Sequence, residues 1–149
     1  MSFKVTRNHE IIDKIINHPD VKPYVLVDGS RGDDLNSSIL FENGAFAIVT
    51  PNGDGGAVLI PDGNGGAEAH TFAEPSARGG AVAKACLEAT KSLLQDKVFD
   101  RIYGYTPTNN KMAMKFNEKI GYKPIDIKSV DRGYGVKEEV MLYEACNGY

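Results

Sequence analysis

Between residues 67 and 95 an alternating segment runs into a proline, a glycine corner and then a long stretch of helical spacing. The corner reads Glu74-Pro75-Ser76-Ala77-Arg78-Gly79-Gly80-Ala81-Val82-Ala83. A helix start exposes backbone N–H groups that have no partner within the helix. The macrodipole puts partial positive charge at the same place. The amides of Gly79, Gly80, Ala81, Val82 and Ala83 are therefore suited to an anion, typically phosphate. The glycines let a ligand reach the backbone with no side chain in the way. Glu68 and His70 lie on the strand that enters this corner. Two residues apart, they point to the same side of it. The sequence offers no Ser/His/Asp triad and no cluster of metal ligands, so a metal is not expected.

The elements that must position this corner follow from periodicity. Asn8 is placed to cap a helix with Ile11, Ile12, Ile15 and Ile16 on one side, ended by Pro19 and Pro23. Residues 24–27 read as a strand or a helix remnant, and residues 28–34 as a polar loop. Residues 38–42 and 45–50 read as two strands joined by Asn43-Gly44, since Asn-Gly between apolar runs signals a hairpin. Residues 57–60 and 67–74 supply the next two strands. The short connections make the group an antiparallel meander. Val82, Cys86, Ala89 and Leu93 then recur at helical spacing. Residues 98–105 read as a strand, so strand, helix and strand form a unit whose two strands are parallel. Asn109 or Asn110 can cap a helix over 111–119 that Gly121 stops. A strand over 122–127, a polar loop over 129–136 and a last strand over 138–145 complete the chain. No internal repeat or low-complexity linker appears.

The chain has 149 residues, 42% hydrophobic and 25% charged. That is ordinary for one soluble globular domain spanning 1–149. A net charge of −3 argues against nucleic acid or a membrane surface as the partner. There is no apolar run of membrane-spanning length and no signal-peptide core. The two cysteines, Cys86 and Cys146, make no disulfide framework, which fits a reducing, cytoplasmic location. Cys86 reads as a small core residue.

Two segments together resemble the GNAT superfamily of N-acetyltransferases. Pro75-Ser76-Ala77-Arg78-Gly79-Gly80-Ala81-Val82-Ala83 is similar to the acyl-CoA motif Arg/Gln-x-x-Gly-x-Gly/Ala with its usual proline. Arg78 takes the first position, Ala81 the middle glycine and Ala83 the last. Asn110-Lys111-Met112-Ala113-Met114-Lys115-Phe116-Asn117-Glu118-Lys119-Ile120-Gly121-Tyr122 is similar to Asn-x-x-Ala-x-x-Phe-Tyr-x-Lys-x-Gly-Phe. The motifs cover about a third of the chain, and the element order agrees across nearly all of it. Ala81 replaces a preferred glycine. Asn117 stands where many members carry a tyrosine that protonates the leaving thiolate, and an amide is no general acid near neutral pH.

The resemblance implies an α/β protein with the acyl-CoA N-acyltransferase fold. Its mixed sheet would be antiparallel in the first half, with a parallel pair that splays near Phe72 and Tyr105 to admit the cofactor. The backbone at Phe72 and Ala73 would hold the acyl-pantetheine arm, and Asn110 would contact it. Arg78 and the corner amides, 79–83, would hold the pyrophosphate. Acetyl-CoA would be the co-substrate, with direct transfer to an unidentified amine. The amine must be neutral to attack, so Glu68 and His70 are the candidate bases, and Asn117 occupies the position facing the sulfur. A second reading keeps the fold and drops catalysis. Small divergent relatives occur among phage genes, some tied to particles or assembly. On that reading the partners would be copies of itself or phage proteins, in the virion.

Overall fold

A computed structural model describes residues 2–25, 35–78, 80–133 and 135–146. Seven strands form one sheet in the order β1-β2-β3-β4-β5-β7-β6. The strands are β1 (Lys4–Thr6), β2 (Phe46–Val49), β3 (Gly55–Pro61), β4 (Gly66–Ala73), β5 (Arg101–Pro107), β6 (Lys123–Gly133) and β7 (Val136–Cys146). The helices are α1 (His9–Ile16), α2 (Lys22–Val25), α3 (Ser38–Glu42), α4 (Ala81–Gln95) and α5 (Lys111–Lys119). β4 and β5 are the parallel pair, and the other neighbours are antiparallel.

Strand alternation sends successive side chains to opposite faces, and each face has its own core. On one face α4 and α5 pack Val82, Cys86, Ala89, Phe116 and Ile120 against Ala57, Leu59, Ala67, Ile102 and Tyr143. On the other, α1 and α3 pack Ile12, Ile15, Ile16 and Phe41 against Ala47, Val49 and Val58. Asn8 caps α1 as its position suggests, its side chain accepting from Glu10 N at 3.1 Å. Gly121, at φ +88°, ends the α5 segment in the left-handed region that favours glycine.

The expectation of a strand over 38–42 is wrong. The segment is α3, with Phe41 7% exposed and Ile39 63% exposed. A strand would have put Ile39 and Phe41 on one face. The Asn43-Gly44 pair ends this helix in place of turning a hairpin: Asn43 Nδ2 donates to Ile39 O at 2.8 Å and Gly44 sits at φ +97°. The first strand of the meander is Lys4–Thr6, which joins β2 through helices. A polar loop over 129–136 is also wrong, because β6 runs on to Gly133 and hairpins into β7. The polarity there reflects an exposed edge strand. The fifth strand begins at Arg101, later than its expected start at Val98. Residues 22–25 form a helix, while the expected loop over 28–34 and Gly79 lie outside the described residues.

One carboxylate fastens the corner to the sheet. Asp54, in the β2–β3 turn, accepts from Thr50 Oγ1 at 2.6 Å and from Ser76 Oγ at 2.8 Å. Its carbonyl accepts from Glu74 N at 2.9 Å. The Thr50 hydroxyl holds the Asp54 carboxyl below its ordinary value; burial opposes this and the Ser76 hydroxyl adds to it. A group depressed in the folded state contributes stability above its unfolded pKa and loses it as pH falls through the folded one. Asp54→Ala should therefore cost about 1–2 kcal/mol at neutral pH. The gap from wild type should close below about pH 4. Urea unfolding of both proteins across that range checks it.

Candidate active site

The parallel pairing of β4 with β5 lasts only three residue pairs: Gly66 with Arg101, Ala67 with Ile102 and Glu68 with Tyr103. Beyond them the strands part. β4 stays bonded to β3 as far as Ala73, and β5 to β7 as far as Pro107. The sheet thus opens at one internal seam. The opening starts at Glu68 and Tyr103, earlier than the expected Phe72 and Tyr105. Gly104 sits at the fork, where an added Cβ would lie 2.9 Å from Ala69 O. Buried backbone N–H and C=O groups need partners, and past the fork these two strand edges have none in each other.

A groove of about 830 Å³ follows the seam. Of the candidate residues, Glu68, His70, Phe72, Ala73, Arg78, Gly80, Val82, Ala83, Asn110 and Asn117 line it. Ala81 is exposed on the first turn of α4 and does not line it. Gly80 precedes α4 at φ +127°, and no side chain caps the helix. No acidic residue occupies the first turn. Gly80, Val82 and Ala83 thus put the N-terminus of a 15-residue helix at the groove, with the macrodipole behind it. Lys115 and Lys119 add positive charge along the lining, against Asp131.

Arg78 ties the corner down. Its Nε donates to Ala73 O at 3.1 Å and its guanidinium to Asp20 O at 2.8 Å. Asn110 caps α5, with its Oδ1 accepting from Ala113 N at 3.1 Å. Asn117 Nδ2 donates to Thr106 Oγ1 at 2.8 Å across the gap between α5 and β5.

The two faces of the seam differ chemically. Glu68 and His70 share the α1–α3 face of β4, opposite Ile60 and Val58, with Phe72 packed beyond them. His70 Nε2 lies 3.3 Å from Glu68 Oε1. Tyr103 and Tyr105 project on the same face from β5, their rings edge to face at 6.2 Å. The Tyr103 hydroxyl donates to Asp62 at 3.1 Å, and Arg101 lies over its ring. Burial, and after it the Asp62 bond, push that phenol up to about 12. On the opposite face lie Thr106, Asn117 and Tyr122, whose hydroxyl pairs with Thr90 at 3.1 Å. A proton acceptor therefore stands on one side of the slot and a hydroxyl–amide pair on the other. Among the described residues no group of His, Cys, Asp and Glu could hold a metal ion, and no helix is long and apolar enough to cross a membrane.

Sequence reasoning missed Gly104, Thr106 and Asp54. Gly104, between two tyrosines of a strand, carried a signal, since glycine inside a strand marks close backbone approach. Thr106 and Asp54 carried none, because their partners lie on other elements.

No family model matches this sequence, and no curated protein matches it. Solved structures do match. A GNAT-family acetyltransferase from Bacillus anthracis superposes with TM-score 0.73 at 14% identity, over 97% of this chain and 94% of that one. The Salmonella typhimurium protein yncA, solved with its cofactor acetyl-CoA, gives 0.69 at 13% identity, over 97% and 93%. A variant of the spermidine N-acetyltransferase SpeG from Vibrio cholerae gives 0.67 at 14% identity, over 97% and 94%. The chain has the GNAT acyltransferase fold along nearly its whole length.

Cys86 lines the groove, yet it is 3% exposed and burial pushes its thiol up to about 12. It is a packing residue. At pH 8 a thiol reagent should modify native Cys86 roughly 10³-fold more slowly than a free thiol, because only thiolate reacts. Stopped-flow thiol titration of a Cys146→Ser protein, native and urea-unfolded, checks this. A fast native reaction would make Cys86 a reactive group.

Proposed function

We propose that this chain is an N-acetyltransferase that moves acetyl from acetyl-CoA to an amine by direct attack. The observation that carries the reading is the seam: two neighbouring strands whose pairing stops after three residue pairs, running to a helix N-terminus with no side-chain cap. A pantetheine arm is peptide-like, with amides that can bond to an open strand edge as an added strand does. The stretch around Phe72 and Ala73, bonded to β3 on one side and parted from β5 on the other, would take the arm, with Asn110 against it. The amides of Gly80, Ala81, Val82 and Ala83 would take the pyrophosphate. Arg78, Lys115 and Lys119 give the polyanion a cationic lining. The solved relative that carries acetyl-CoA supports the choice of ligand.

In this arrangement the thioester sits at the fork, with the acceptor on the α1–α3 face. A protonated amine is no nucleophile, so a base must take its proton. The Glu68–His70 pair would do this, directly or through one water, a reading supported by their 3.3 Å contact on the acceptor face. The nitrogen lone pair then attacks the thioester carbon, the C–S bond breaks, and its electron pair leaves with sulfur. That an amine acceptor serves is supported by the spermidine N-acetyltransferase among the fold neighbours. Asn117, in place of a phenolic acid, is the feature that favours the non-catalytic reading, on which acetyl-CoA binds and is never turned over.

Titration calorimetry with acetyl-CoA tests the first half. Wild type should bind, with affinity falling as salt rises. Gly80→Val, which forces a side chain onto a positive φ and into the ligand's approach to the amides, and Gly104→Val, whose Cβ would meet Ala69 O at the fork, should each lose roughly 10–100-fold, the equivalent of one or two charge-assisted hydrogen bonds. Arg78→Ala should lose only a few-fold, as expected for a solvent-exposed cation. Equal affinity for wild type and Gly80→Val would remove the site. For the second half, CoA release is followed against a panel of amines. Glu68→Gln should lower kcat/KM by about 10²–10⁴. Binding without release above the blank for any amine favours the non-catalytic protein.

A further inference from the structure

Thr106 is 9% exposed, lines the groove, and lies on β5 beyond the last residue paired to β4. Its outer strand edge faces Met141 of β7. Asn117 Nδ2 donates to its Oγ1 at 2.8 Å. A hydroxyl carries one donor and two acceptor sites. With the amide hydrogen on a lone pair, the hydroxyl hydrogen must point elsewhere. The other phenols near the seam are otherwise placed. Tyr103 donates to Asp62 on the acceptor face, and Tyr105 packs beside it there. Tyr122 is paired with Thr90. Tyr143 stands opposite Gly104 on β7, 2% exposed in the helix-side core, where burial and after it the charge of Glu118 push its phenol up.

We propose that the Thr106 hydroxyl, held by Asn117, is the hydrogen-bond donor to the CoA sulfur as it becomes a thiolate. This rests on the acyl-CoA reading above. Asn117 is then a positioning residue, and Thr106 the group that touches the reacting atom. The step balances without an acid. The amine attacks, C–S breaks, and the thiolate leaves with the electron pair. Thr106 keeps its proton and shares it with sulfur. The Glu68–His70 pair passes the ammonium proton taken before attack to water and then takes the N–H proton that the new amide sheds, and the thiolate takes a proton from water after release. A thiol with pKa near 8.5 needs no full protonation to depart. A donor that stabilises only the charged sulfur favours the transition state over the bound thioester.

The test needs no acceptor. CoA with a free thiol is bound, and its thiol is titrated by ultraviolet thiolate absorbance against desulfo-CoA as the blank. Calorimetry gives the affinity of each variant separately. In wild type the bound thiol should titrate about one unit below free CoA, since a hydrogen bond to the charged form favours it. Thr106→Val should bring it back to the free value while CoA still binds. Thr106→Ser should keep the shift. Asn117→Leu should lose part of it, and should add nothing in a Thr106→Val background, as expected of one coupled unit. Tyr143→Phe should leave it in place. If wild type binds CoA and Thr106→Val leaves the thiol shift intact, or Tyr143→Phe abolishes it, the assignment to Thr106 is overturned while the acyl-CoA reading stands. If wild type binds neither CoA nor acetyl-CoA, both fall.

Discussion

Two adjacent strands stop bonding to each other in the middle of a sheet, and the rest of the molecule is arranged so that this can persist. Left alone, the free edges beyond Glu68 and Tyr103 would close up, because an open edge is a template for pairing. They are kept apart by what holds their outer sides. β4 is bonded to β3 through to Ala73 and β5 to β7 through to Pro107. Each arm of the fork is therefore part of a stiff antiparallel unit. The crossover helix α4 and helix α5 pack on one face of both units and fix their angle.

The corner at the end of β4 is built to stay where it is without a covering side chain. Asp54 gathers Thr50, Ser76 and the Glu74 amide, which ties the turn after β2 to the turn after β4. Arg78 reaches back to Ala73 O and across to Asp20 O, which ties the corner to the segment after α1. With the corner fastened from outside, Gly80 can precede the helix at a conformation costly for other residues and leave its first amides open. Preorganised donors of this kind bind an anion without having to be ordered first.

The fork also separates two kinds of chemistry. Alternation along β4 puts Glu68 and His70 on one face, and Ala69 and Ala73 on the other. Alternation along β5 does the same for Tyr103 and Tyr105 against Gly104 and Thr106. A group lying in the slot meets a carboxylate and an imidazole from one side and a threonine hydroxyl from the other. Small residues on the helix side, Ala69, Ala73 and Gly104, line the groove there, and at Gly104 the two strands are still too close to admit a side chain.

Much of this was legible in the sequence by itself. The helix stripe from Val82 to Leu93, the corner and its glycines, the Asn110 cap and the Gly121 stop are local patterns whose physics acts within a few residues. The same holds for the strand–helix–strand unit that makes β4 and β5 parallel. Two local patterns misled. Asn43-Gly44 supplies the left-handed conformation that a hairpin turn and a helix end both use, so its neighbours could not decide between them. The polar run after Ile127 has the composition of a loop because β6 is an edge strand in water, and only its pairing with β7 makes it a strand. What no local pattern held was the partnership across elements. Asp54 with Ser76, Asn117 with Thr106, and the stopping of the β4–β5 ladder after three pairs join residues far apart in the chain. Residue types state what each group can donate or accept, but which groups meet depends on packing the two cores on either side of the sheet. That packing is a property of the whole chain, and it alone decides where the seam opens and what faces it.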